Sequence, residues 1–141
     1  MAEQPPPFEI LEHTADAGIV AHGRTMAEAF AHAAEGMYAL MVDLDGIREI
    51  ETREVTVQAP DLHNLLTGWL LELLFLTETE GLVFRRFEVD VSGTTLRARA
   101  FGEPLDPERH EVGGDIKGVT RHMLEVGPDN GGYRVRVLFD M

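Results

Sequence analysis

Apolar and polar positions alternate along most of this chain, and in two stretches they recur with helical spacing instead. Phe8 to Glu12 reads as a strand that leads into a polar turn, and Gly18 to His22 as a second short strand. Thr25-Met-Ala-Glu28 has the form of a capping box, in which a hydroxyl and a carboxylate satisfy the free amides of a helix start. Met26, Phe30, Ala33, Met37, Tyr38 and Met41 then form one apolar helical face, which should end before "DLDG" at Asp43 to Gly46. Val55, Val57 and Ala59 alternate with Thr56 and Gln58, as a half-buried strand does, until Pro60 stops it. Asp61 is a suitable N-cap for a second helix carrying Leu62, Leu65, Leu66, Trp69, Leu70 and Leu73 at the helical period. Leu71, Leu74 and Phe75 widen that stripe, so the helix is expected to be buried on more than one side, and Gly81 to end it.

Beyond Gly81 the period returns to two. Phe87, Val89 and Val91 alternate with Glu88 and Asp90; "SGT" at Ser92 to Thr94 turns the chain; Leu96, Ala98 and Ala100 return with Arg97 and Arg99 outward. A proline- and charge-rich loop, Gly102 to Glu111, precedes two more strands, around Ile116 to Val126 and Tyr133 to Phe139, joined by "GPDNGG". In the last, Tyr133, Val135, Val137 and Phe139 oppose Arg134, Arg136 and Leu138. Runs of antiparallel strands with two interposed helices predict an α+β fold with a mostly antiparallel sheet. No linker divides the 141 residues, so residues 8–141 are expected to form one domain behind a flexible, proline-rich lead-in at 1–7.

Composition narrows the function classes. At 44% hydrophobic and 26% charged the chain should be globular, and the formal net charge of -13 opposes direct binding of nucleic acid while favouring cations and basic protein surfaces. The absence of cysteine excludes disulfides, thiolate metal sites and a cysteine nucleophile, and suits a reducing cytoplasm. The N-terminus lacks the basic and apolar regions of a signal peptide, and the most apolar segment, Leu65 to Leu76, is too short and too polar to span a bilayer; a cytoplasmic location follows as the expectation.

Polar groups gather at three places. "EHTADAGI" packs Glu12, His13, Thr14 and Asp16 into a few residues before Gly18. Ordinary turn chemistry accounts for such a run. So does a site for a hard divalent cation, for which carboxylate oxygens are the fitting donors. Asp140 and the terminal carboxylate at Met141 are the possible partners of Asp16, and like charges so close would favour a cation between them. That idea requires the first and last strands to be neighbours; the opposing reading is a frayed, solvated end. "GGDIKGVTRH", Gly113 to His122, places Asp115 and a lone Lys117 among glycines and short apolar residues. Lys117 could meet a phosphate or a carboxylate, or simply be solvated. The spacing is not that of a Walker A loop, and neither His13 nor His122 belongs to a legible catalytic triad. The residues alone leave the function open.

Taken together, "EHTADAGI", "DIKGVTRH" and "RVRVLFDM" resemble the N-terminal, D/E-I-K-A-V-T-x-H and C-terminal motifs of the archease family. Gly118 stands where Ala is usual in that family, Arg121 where Tyr is common, and Ala17 where Val is usual. The resemblance implies a fold of two interleaved strand–helix–strand–strand units. It also implies an accessory protein without catalysis of its own that activates the RtcB-type tRNA-splicing ligase, which joins RNA ends using GTP and a divalent metal. Carried over, a bound metal, usually Ca²⁺ (with Mg²⁺ or Mn²⁺ sharing its ligands), would be held by Asp16, Asp140 and the terminal carboxylate of Met141. The ligase-activating set would be Asp16, Lys117 and Asp140, with Glu12, His13, Asp115 and His122 in support. Two other classes remain beside it: a stand-alone metal-dependent enzyme acting on a phosphorylated substrate, with a pocket lined by His13, Asp16 and His122, and a chaperone-like protein-binding module.

Overall fold

The computed structural model describes residues 5–12 and 17–141. Strands β1 (Phe8–Glu12) and β2 (Ala17–Gly23) precede helix α1 (Met26–Met41). A single 3₁₀ turn at Leu44–Gly46 leads to β3 (Glu51–Gln58), α2 (Leu62–Glu80) and then β4 (Leu82–Ser92), β5 (Thr95–Pro104), β6 (Gly118–Asp129) and β7 (Gly132–Asp140). The strands form two antiparallel sheets, one ordered β1-β2-β7-β6 and the other β3-β5-β4. Both helices lie between them: α1 packs on β2 and β7 of the first sheet and on β4 of the second, α2 on β6 and on β3.

Local chemistry sets the element ends. Thr25 caps α1 through its hydroxyl, which accepts the Glu28 N–H, while the Glu28 carboxylate accepts the N–H of Arg24 rather than that of the cap itself. Asp61 accepts the Asn64 N–H at the start of α2, which ends at Gly81 with φ 70°. Asn130 and Gly131 both have positive φ, 48° and 82°, as a two-residue type I′ hairpin turn between β6 and β7 requires.

The core fills the space between the sheets. The inward residues of β3 and β5 (Val55, Leu96, Ala98, Ala100) face one side, those of β2 and β7 (Ile19, Ala21, Val135, Val137, Phe139) the other. Buried polar groups link the helices: the Trp69 indole donates to the Phe30 carbonyl at 2.9 Å, and the Tyr38 hydroxyl donates to the Leu73 carbonyl at 3.1 Å. Burial pushes the Tyr38 phenol well above its ordinary range, so it stays a neutral donor. Helix α2 is buried on more than one side, but not along the whole of its widened stripe. Leu65, Leu66, Leu70 and Leu73 are buried, but Leu71 and Phe75 are 43% and 57% exposed. The sheets cover two sides of this helix and leave the third to solvent.

Candidate functional site

The β2–β7–β6 ladder gathers what the sequence scattered. Ala17, the first described residue after the polar turn, pairs with Phe139; Gly118, next to Lys117, pairs with Asp140. The Lys117 N–H donates to the Asp140 carbonyl at 2.7 Å, which extends the ladder one step beyond β6. On the outward face of this sheet a side chain at Gly18 would run into Leu138, its Cβ only 2.4 Å from Leu138 Cδ2. Leu138 thus occupies the space that Gly18 leaves free, and although it shares a strand face with Arg134 and Arg136 it is buried.

Asp140 and Lys117 are both exposed, and among the described residues neither enters an ion pair. Lys117 is also the chain's sole lysine; its other cations are arginines. Met141 is half-buried, and its Cε lies 2.3 Å from where a Cβ on Gly114 would sit. Asp115 is exposed in the loop ahead of Ile116, whose side chain is buried and anchors the segment. His122 stands apart. The β6–β7 register breaks between Thr120 and Glu125, where Met123 takes φ 57°, and His122 lies exposed in that bulge, off the ladder. Glu12 ends β1 opposite Ala17. His13, Thr14 and Asp16, and with them the expected meeting of Asp16 with Asp140, lie outside the described residues. Among the described residues no three His, Asp or Glu side chains could share an ion. The donors present, an exposed carboxylate beside the chain's last residue, are hard oxygens of the type Ca²⁺ or Mg²⁺ takes.

A second polar cluster escaped sequence reading. Glu103, at the end of β5, is 1% exposed and His110 is 3% exposed. The Glu103 carboxylate accepts the Arg48 N–H at 2.6 Å, Arg48 Nε at 3.1 Å, His110 Nε2 at 2.9 Å and the Arg109 guanidinium. His110 Nδ1 accepts the Asp106 N–H at 2.8 Å, which leaves Nε2 to face Glu103. Burial alone would raise the Glu103 pKa, but the converging donors outweigh it and hold it down at about 2. Alternation along β5 puts Glu103 on the side away from the core; only the connections around Arg48 and His110, folded over it, exclude water there.

The fold and this ladder end define the class: a single-domain α+β protein with two helices between antiparallel sheets and a polar tip where motifs from different parts of the chain converge. The chain matches the Archease protein family (MTH1598/TM1083) over residues 8–141, and it belongs to that family. It is 42% identical over 123 residues to protein archease of Pyrococcus abyssi, covering 84% of this chain and 87% of that one. With protein archease of Methanosarcina mazei it shares 37% identity over 146 aligned positions, covering both chains fully, 100% and 100%. Its fold is similar to the solution structure of Methanobacterium thermoautotrophicum protein 1598, with TM-score 0.85 at 37% identity over 96% of this chain and 99% of that one. A crystal structure described as an archease, possible chaperone, from Thermotoga maritima has TM-score 0.64 at 20% identity over 100% and 99% of the two chains, a likeness of fold alone. Relatives in this family are named archease, not as enzymes. Among the described residues no helix is long and apolar enough to cross a membrane.

Proposed function

We propose that this protein is an accessory activator of an RtcB-type tRNA-splicing ligase, promoting guanylylation of the ligase and its repeated turnover. The observation that carries the reading is the ladder end. Ala17 beside Phe139, Gly118 beside Asp140, and the Lys117 N–H on the Asp140 carbonyl bring the backbones of all three family motifs to one end of one sheet. In this proposal Asp16, Asp140 and the terminal carboxylate of Met141 hold a divalent ion, Ca²⁺ by preference, whose charge would offset theirs and give the tip a Lewis-acidic centre. Asp140 would be held by the paired end of β7. Lys117 would steady a phosphate of the nucleotide or a carboxylate of the ligase as a mobile point charge. The acidity of the chain suits a partner whose triphosphate-binding mouth must be electropositive.

Asp16→Ala, Asp140→Ala and Lys117→Ala variants, each shown to be folded by circular dichroism, are expected to lose stimulation in a guanylylation assay with the cognate ligase. Full stimulation by all three would overturn the mechanism. Turnover of a phosphorylated substrate by the isolated protein would instead favour an enzyme, and general holdase activity indifferent to Lys117 a chaperone.

A further inference from the structure

The connection between β5 and β6 is long, lacks regular structure and ends at Lys117, yet it is fastened along its length. Loops of this kind inside compact domains are commonly functional. At one end the Glu103 cluster joins three segments: β5 itself, the connector that carries Arg48, and the loop residues Arg109 and His110. Arg109 also donates to the Gly46 carbonyl at 2.8 Å, so the 3₁₀ turn is tied into the same cluster. From there the loop runs along the end of α1. The Asp43 N–H donates to the Glu111 carbonyl at 3.0 Å, and the N–H groups of Gly113 and Gly114 donate to the carbonyls of Met41 and Leu40 at 2.7 and 3.1 Å. These last bonds satisfy carbonyls that a helix C-terminus otherwise leaves to solvent. Gly114 then lies under the Met141 thioether, Ile116 is buried, and Lys117 follows.

We propose that Glu103 is the positioning residue of this loop: by clasping Arg48, Arg109 and His110 it fixes the path that presents Lys117 beside Asp140. A buried apolar group would fill the same space without specifying direction. A carboxylate with four converging donors accepts one arrangement of its neighbours, the registering role for which buried ionic groups are best attested. The inference rests on the functional reading above only where it concerns ligase stimulation; the placement of Lys117 is tested independently.

Because Lys117 is the sole lysine, reductive ¹³C-methylation labels one side chain besides the N-terminal amine. Glu103→Gln is expected to shift and narrow the Lys117 dimethylamine resonance, measured well below the unfolding temperature of the variant, and to reduce ligase stimulation several-fold in unmodified protein. Arg109→Gln, which removes the ties to Glu103 and to the Gly46 carbonyl at a partly exposed residue, should move the resonance in the same direction by less and serves if Glu103→Gln does not fold. His110→Gln, which keeps a donor toward Glu103, should lie closer to wild type than His110→Ala. Leu66→Ala, a cavity in the buried face of α2, should lower the melting temperature and leave the resonance in place. An unmoved Lys117 resonance in folded Glu103→Gln or Arg109→Gln would overturn the positioning role. If the resonance moves as expected but Lys117→Ala stimulates like wild type, the part of the ligase reading that rests on Lys117 fails and the positioning of the loop stands.

Discussion

Two glycines of the Gly113–Gly118 stretch look alike in sequence and differ in what surrounds them. A Cβ at Gly118 would meet no atom within 4 Å, whereas one at Gly114 would sit 2.3 Å from Met141 Cε. Neither has the positive φ that would demand glycine. Gly118→Ala should therefore be tolerated and raise stability by about 0.4–1 kcal/mol, through lost freedom of the unfolded chain. That fits the alanine usual at this point of the family motif. Gly114→Ala must displace the flexible end of Met141; the fold should survive, the Met141 methyl resonance should shift, and ligase stimulation should fall. Denaturant melts and methyl spectra of the two variants check both outcomes. Equal behaviour of the pair would contradict the close approach of the loop to the last residue.

At the scale of the element, the exposed side of α2 separates two kinds of apolar residue on one helix. Leu70 is fully buried, and Leu70→Ala should cost about 2–5 kcal/mol. Phe75→Gln, at a side chain already 57% exposed, should shift a urea melt by a small fraction of that. The caps at Thr25 and Asp61, the stop at Gly81 and the alternation through β4, β5 and β7 were all legible, because each depends on neighbours a few residues away. The open side of α2 was not, since periodicity reports that a stripe is apolar and not how many layers cover it. The bulge in β6 was equally hidden: Arg121 to Leu124 carry no glycine or proline, and what holds the irregularity is tertiary, Arg136 donating to the Met123 carbonyl at 3.0 Å. The outward assignment of Leu138 followed the alternation correctly. Its burial depends on the vacancy above Gly18, on another strand.

Across the whole molecule, the candidate tip was legible as motifs and not as geometry, because pairing between β2 and β7 joins residues from opposite ends of the sequence. The Glu103 cluster gave no signal at all: its donors come from separate connections, and nothing in "GEPLDPERH" marks one glutamate as enclosed. It does leave a signature in the pH dependence of global stability. Folding lowers the Glu103 pKa from 4.5 to about 2, so the native state favours the charged form. The stabilisation is complete above the unfolded value and is lost as pH falls through the interval toward the folded one. Removing the carboxylate by Glu103→Ala strands buried donors and should cost about 3–5 kcal/mol near neutrality. Between pH 6 and pH 3 the wild-type urea midpoint should drop further than that of the variant; parallel drops would mean the carboxylate is not held in its charged form.

The position of β7 has a consequence for how the chain is made. It is the inner strand on which both β2 and β6 pair, and it is made after either of them. The β1–β2 hairpin must wait, while everything from α1 to β6 is made, for the strand that joins it to β6. Until then the inner edge of β2 is unpaired, a state in which aggregation competes with folding.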